Sequence, residues 1–473
     1  TIQANTIGSE NGRIYLLADM ASGEINAEGT LEANFVETSA ATLNINENLT
    51  VNTNGGEWLI DPVNITIDDS KATAIETALT TGNVTVSTAD GVTWAGETNG
   101  TGTDEGNIIV NSSIDWSSNT LTLRADHDIT INAELTSTGS TANDGLVLQY
   151  AQTTSTGDYS IQAPVNLVAG SLFQTKSGTD AAITYTVITD LGAAGSTTGA
   201  DLQGINGALS GNYVLGANID ASDTVSWDSD EGFNPLGDLS TKFTGTFDGL
   251  GHTISGLTIN RSATRNIGLF GYADGATIQN VGLIDTNISG DLYVGGLLGY
   301  NYGGSISNSY VTGSVSGREN VGGLVGYNIG SSKISNSYAT ARVSNNVASD
   351  SYSLGGLGSH KNGSSAVSNS YATGNVSGIA YVGGLVGFNT LSSKISNSYA
   401  TGNVSANTNV GGLVGRHGGG GSVSNSYATG SVSGTTLVGG LVGYQYSSTI
   451  SNSYYDSDTT GQSDTGKGTG LTT

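Results

Sequence analysis

The sequence predicts an all-β chain wound as a parallel β-helix, a solenoid of short stacked strands. Three observations carry that reading. Glycine is abundant at 72 residues and proline scarce at 3, yet 36% of the 473 residues are apolar. Disordered glycine-rich chains carry proline and little hydrophobicity, so this composition describes a folded chain with many tight turns. One phrase returns at nearly constant spacing: SISNSYVTGSVSG, KISNSYATARVSN, AVSNSYATGNVSG, KISNSYATGNVSA, SVSNSYATGSVSG and TISNSYYDSDTTG. Its residues alternate as in a half-buried strand, and no helix-period segment separates one strand from the next.

Taken in order, residues 1–184 contain strand-like pieces such as ATLNI, LTVNT, NITID, NVTVST, TLTLRA and DITINA. They recur about 20 residues apart, which predicts coils of about 20–22 residues. Residues 70–79 (SKATAIETAL) have helical apolar spacing at Ile75 and Leu79, so a short helix should protrude from the coils or join them. A junction spans 185–212, where Leu202, Ile205 and Leu209 predict a second short helix. Lead-in coils occupy 213–260 and the regular repeats 261–455, and 456–473 form a tail or the start of another segment. The chain lacks a starting methionine and ends on GTGLTT, which fits a piece of a longer protein.

Within the repeats the asparagine falls at 308, 336, 369, 397, 425 and 452, with Asn280 as a degenerate first copy. A second phrase, of the form VGGLVGY, precedes each copy, with its second glycine at 268, 296, 323, 356, 384, 412 and 440. Both phrases absorb the same five-residue insertion around 345–353, so they belong to one unit of about 28 residues. Three short strands per unit make one coil. Stacking coils about 4.8 Å apart would align identical side chains into ladders. Asn280, Asn308, Asn336, Asn369, Asn397, Asn425 and Asn452 form one expected ladder. Tyr310, Tyr338, Tyr371, Tyr399, Tyr427 and Tyr454 form another. Strict alternation puts Ile306, Asn308 and Tyr310 on one face and Ser307 and Ser309 on the other. The asparagines are therefore expected to point inward and the serines outward. The paired glycines allow positive φ or close backbone approach where the coil turns.

Chemistry for catalysis is sparse. There is no cysteine, hence no thiol nucleophile and no thiolate metal site, and no P-loop, dinucleotide fingerprint or HExxH occurs. His127, His252, His360 and His417 are scattered. No Asp or Glu lies between Asp350 and Asp456, so that stretch lacks the carboxylate pair that glycoside hydrolysis needs. Asp223, Asp228, Asp230 and Glu231 could supply carboxylates but read better as a solvated acidic loop. Asp456, Asp458 and Asp464 are a weak Ca²⁺ candidate without EF-hand spacing. Trp58, Trp94, Trp116 and Trp227 could stack on sugars but suit a core. A threonine column at 312, 340, 373, 401 and 429 would suit ice binding only as a flat exposed array. We expect no enzyme activity, no cofactor and no metal. The net charge of −26 disfavours nucleic acid as a partner. It is uneven: residues 1–260 hold 32 acids against 5 bases, and residues 261–452 hold 5 acids against 8 bases.

The repeats resemble the GLUG-motif repeats of bacterial surface proteins, and FTGTFDGLGHTISGLTIN (243–260) is similar to the usual first coil of such arrays. Through FVETSAATLNI (35–45) and GEWLIDPVNITID (56–68), the first part resembles filamentous haemagglutinin-like exoproteins of two-partner secretion. The resemblance implies a right-handed parallel β-helix and export through an outer-membrane transporter. It places the protein outside a Gram-negative cell or in the extracellular matrix. The expected role is a structural shaft of an adhesin or biofilm-matrix filament. Its expected partners are a host or bacterial cell surface, a matrix polysaccharide, or other copies of itself. The alternatives are a carbohydrate-binding or carbohydrate-active β-helix and, behind it, ice binding.

Overall fold

Runs of two to eight residues become short strands, and almost all of them pair in parallel with their counterparts one coil further on. The computed structural model describes residues 6–10, 12–88, 106–152, 156–346, 353–463 and 467–472. It is a parallel β-helix that forms two compact units. One comprises Thr1–Thr189 with Asn212–Ala217, and the other Asp190–Gly211 with Asn218–Thr473.

In the first unit the longest wall contains Arg13–Leu17, Phe35–Ala40, Glu57–Pro62, Asn83–Ser87, Thr120–Arg124, Gly145–Tyr150 and Leu172–Ser177, all parallel. Antiparallel strands flank it, Thr6–Glu10 at one edge and Ile183–Thr184 at the other. Arg13, Phe35 and Glu57 stand in register 22 residues apart, but Asn83 follows after 26. Thr120, Gly145 and Leu172 are 25 and 27 apart. Coil length therefore varies: the first two steps match the 20–22 residues expected, as does Ile108 to Ile129 at 21 on another wall, and other steps are longer. Val36, Trp58, Val84, Leu121, Leu146 and Phe173 stack inward in one fully buried column. Each such side chain contributes about 1.5–3 kcal/mol through burial.

The expected helix runs Asp69–Leu79, and the Asp68 carboxylate caps it by accepting from the backbone N–H of Lys71 at 3.1 Å. It does not protrude. Ala72, Ala74, Ile75, Ala78 and Leu79 are buried, and the helix packs against the strands Thr50–Asn52 and Ile114–Trp116, filling the wall beside them. The second expected helix is a 3₁₀ segment, Gln203–Gly207. Glycine at 204 and 207 disfavours a longer helix there. Asp201 ties its start by accepting from Gly204 N at 2.6 Å and from the Ser196 hydroxyl at 2.7 Å.

In the second unit a regular coil has four or five short strands, not three. One coil contains Glu319–Gly322, Val325–Ile329, Lys333–Ser335, Tyr338–Ala339 and Arg342–Asn345. Val321, Leu324, Val325, Ile334, Ala339, Ala341 and Val343 fill its interior. The insertion leaves the stacking intact, since Val321 still pairs with Leu354 and Tyr327 with His360. The paired glycines serve closeness rather than positive φ. A Cβ on Gly384 would lie 2.1 Å from the carbonyl oxygen of Gly412, and one on Gly412 would lie 2.1 Å from that of Gly440. After the last full repeat, Thr469–Leu471 pairs in parallel with Tyr454–Asp456, and Asp456 caps the short helix Ser457–Thr460.

Candidate functional surface

The asparagines sit at corners. Asn280, Asn308, Asn336, Asn369, Asn397, Asn425 and Asn452 all adopt left-handed backbone with φ of 45–54°. Asparagine is among the few residues that tolerate this conformation. The bend breaks the strict alternation assumed from sequence, so the inward direction must be corrected. From Asn308 to Asn452 the asparagines are exposed, while the serine that follows each one is buried. The amides still meet. Nδ2 of Asn308 donates to Oδ1 of Asn280 at 3.1 Å. The steps Asn397 to Asn369, Asn425 to Asn397 and Asn452 to Asn425 repeat this at 3.1–3.4 Å.

The serines form a relay. The N–H of Ser309 donates to Oγ of Ser337 at 3.2 Å, and Ser337 to Ser370, Ser370 to Ser398, Ser398 to Ser426 and Ser426 to Ser453 follow at 3.2–3.3 Å. Each hydroxyl in turn donates to the carbonyl two residues earlier, as Ser398 does to Ser396 at 2.7 Å. The corner withdraws one N–H from the strand ladder, and the hydroxyl satisfies it.

Tyr310, Tyr338, Tyr371, Tyr399 and Tyr427 stack face to face, with centroids 4.7–4.9 Å apart and planes within 1–5°. Tyr454 pairs with Tyr427 in backbone register. Tyr427 and Tyr454 are 42% and 40% exposed, so the column comes to the surface at that end. The threonines at 340, 373 and 401 are exposed, and those at 312 and 429 half-buried.

Two further columns escaped sequence reasoning. Outward-facing, Tyr272, Tyr300, Tyr327, His360, Phe388, Arg416 and Tyr444 stand in register. Inward-facing, the next residue of each phrase gives Asn301, Asn328, Lys361, Asn389, His417 and Gln445. The signal was readable: the residue after the phrase's final aromatic is almost always an amide or a base. Asn301 donates to Asn328 at 2.8 Å. His417 donates from Nε2 to the carbonyl of Thr449 at 3.1 Å, so its Nδ1 accepts from Asn389 at 3.1 Å. Burial holds the Lys361 amine well below its ordinary range, and it donates to the carbonyl of Lys394. Burial likewise lowers His417 and pushes His360 down to about 4.

The remaining candidates disperse. Arg261 engages Asp228 at 2.6 Å and Glu231 at 2.7 Å, so part of the acidic loop serves an ion pair. Asp456 spends its carboxylate on Asp458 N and Thr459 N, and Asp464 lies outside the described residues. Among the described residues no group of three or more His, Asp or Glu is placed to hold a metal ion. Trp58 and Trp116 are buried, Trp227 lies against Phe233, and Trp94 is outside the described residues. His252 is buried, and His127 lies beside Asp128 at 3.2 Å. An open cleft of about 570 Å³ beside the helix is lined by Glu76, Asp115, Trp116 and Glu134, a carboxylate grouping that was not anticipated. No helix among the described residues is long and apolar enough to cross a membrane.

Comparison with known proteins gives three findings. A protein from Bacteroides ovatus, provisionally named an immunoglobulin A1 protease, shares 22% identity over 57% of this chain and 84% of its own, with a TM-score of 0.41. Halomucin of Haloquadratum walsbyi is 43% identical over 120 residues, which is 24% of this chain but 1% of that protein. The GLUG motif matches residues 290–316, 317–344, 378–405 and 406–433, so this chain carries four GLUG repeats, and the coil containing His360 and Lys361 lies between matched segments.

Proposed function

We propose that the chain is a shaft segment of a secreted surface filament, acting by extension and by many weak lateral contacts. The observation that carries this reading is the continuity of the side-chain columns. Asparagine, serine and tyrosine recur coil after coil on the repeat wall, and none converges on an enclosed reaction centre. Such a wall offers equivalent weak contacts whose strength comes from multivalency. The GLUG repeats and the likeness to part of halomucin support an extracellular repeat protein. On this reading the partners are a host or bacterial cell surface, a matrix polysaccharide, or another copy of the chain, and export proceeds through an outer-membrane transporter.

The test is excision of one unit, residues 378–405. Each coil contacts chiefly its neighbours, so the β-sheet circular dichroism should persist. Cells displaying the shortened chain should show weaker cell–cell or cell–matrix attachment, graded with the number of units removed. Attachment that ignores repeat number would sink the shaft reading. Depolymerisation of a glycan by the purified chain, abolished by one carboxylate substitution, would favour the enzymatic alternative.

A further inference from the structure

We infer that Arg416 is the centre of a binding site for the carboxylate of a uronic-acid sugar on the outer wall of the repeats. Arg416 occupies a rung that is aromatic or imidazole in every other coil of its column: Tyr272, Tyr300, Tyr327, His360, Phe388 and Tyr444. Its guanidinium carbon lies 4.9 Å from the Phe388 ring centroid, 5.0 Å from Tyr446, 5.4 Å from Tyr381 and 5.8 Å from Tyr444. Two ring pairs enclose it. Tyr381 and Phe388 are tilted 22° to each other, and Tyr444 and Tyr446 27°. Rings hold the cation's faces but accept nothing from its edge. The Nε is buried without a hydrogen-bond acceptor among the described residues, so a carboxylate arriving from outside meets the two Nη groups instead.

Two of the other arginines pair with carboxylates, while Arg13 lies over the Phe35 ring and donates to the Tyr15 hydroxyl. Arg261 meets Asp228 and Glu231, and Arg318 meets Asp291 and Glu319. Arg416 stands in a stretch without any Asp or Glu from 351 to 455, and among the described residues no ion pair joins it to a carboxylate. A guanidinium is a planar fork that pairs two N–H groups with a carboxylate. The partly exposed rings around it can pack on the C–H faces of a sugar, and their hydroxyls can bond to its hydroxyl groups. An acidic peptide could reach the same fork. The wall around Arg416, rich in Ser, Thr, Asn and Tyr, suits a hydroxyl-bearing ligand better than a peptide chain.

This site deepens the lateral-contact reading, but its test does not depend on attachment. The probe is trigalacturonate, titrated calorimetrically into the folded chain. We expect saturable binding that weakens at least ~10-fold in Arg416→Gln, as loss of a charge-assisted pair implies. Arg416→Lys should recover only part of it, because the ammonium lacks the fork. Raising NaCl from about 50 mM to about 500 mM should weaken binding, and maltotriose, which has no carboxylate, should not bind. Thermal melting of each variant confirms that the coils remain formed. Unchanged affinity in folded Arg416→Gln overturns the proposal, as does absence of trigalacturonate binding to the parent chain at ~10 mM, where affinity would be too weak for a formed pair. A tetraglutamate peptide that binds as tightly as the sugar overturns the assignment to a glycan. Loss of sugar binding with attachment retained would leave the shaft reading standing.

Discussion

The two units build the same kind of coil from differently constrained sequences. In the first, one interior column runs Val36, Trp58, Val84, Leu121, Leu146 and Phe173, with a different size at almost every step. In the second, the corner columns are near-invariant: asparagine in left-handed backbone, then buried serine. An interior apolar position requires only something that fills space. A corner requires one backbone conformation and one hydroxyl to replace a lost ladder bond. In the second unit the core repeats as strictly, with Leu324, Leu357, Leu385, Leu413 and Leu441 buried coil after coil, so there exact repetition reports uniform coils as well as corner chemistry.

The glycines give the largest expected break in that comparison. Gly384→Ala pushes a Cβ to 2.1 Å from a backbone oxygen and 2.9 Å from the Ala400 Cβ, neither of which can yield without separating coils. The loss should exceed ~3 kcal/mol in a urea titration, beyond ordinary overpacking. Gly29→Ala in the first unit meets open space at φ 87°, so only backbone strain of about 1–2 kcal/mol is expected. Equal losses would remove the distinction between spacing glycines and turn glycines.

Acid comes next. His360 is neutral in the folded chain, with its pKa lowered from 6.5 to about 4 by burial. Its contribution is fully present above 6.5 and is lost as pH falls through 4, about 3 kcal/mol in all. Hydrogen exchange at pH 4 should show the coil of residues 353–377 opening before the coils on either side. His360→Tyr, which restores the side chain found at 327, should reduce that local acid sensitivity, leaving the part that belongs to buried Lys361 in the same coil. Uniform exchange along the repeats would show that the odd coil is no weak point.

Ser398→Ala should cost about 1–3 kcal/mol, because it strands the N–H of Ser370. Asn397→Gly keeps the left-handed corner and removes two exposed amide contacts, so a few tenths of a kcal/mol is expected. The order matters more than the size. A larger loss for Asn397→Gly than for Ser398→Ala would return the main structural role to the asparagines.

Much of the architecture was legible because its period is written into the residues: the coil length of the repeats, the parallel stacking and the register across the insertion. The direction of the side chains was not. A single left-handed residue inverts the alternation, and Asn308 carries no mark that separates a corner from a strand until the backbone is seen. The short helix at 69–79 could be found from Ile75 and Leu79, but not its position in a wall, which depends on strands far away in sequence. The inward Asn301–Gln445 column was hidden by a habit of reading polar residues as outside. The Arg416 rung was hidden because a lone arginine in a Ser/Thr-rich chain looks like surface.

The serine relay also has a sense of direction. Every step sends a backbone N–H toward the C-terminal coil and receives it on a hydroxyl, from Val281 through to Ser453. At this column the two faces of a coil are therefore unlike, the C-terminal face offering a serine N–H and the N-terminal face an accepting hydroxyl. The asparagine column runs the other way, each Nδ2 donating toward the N-terminal coil. The two corner columns thus point in opposite senses along the stack, and each one marks which end of a coil is front and which is back.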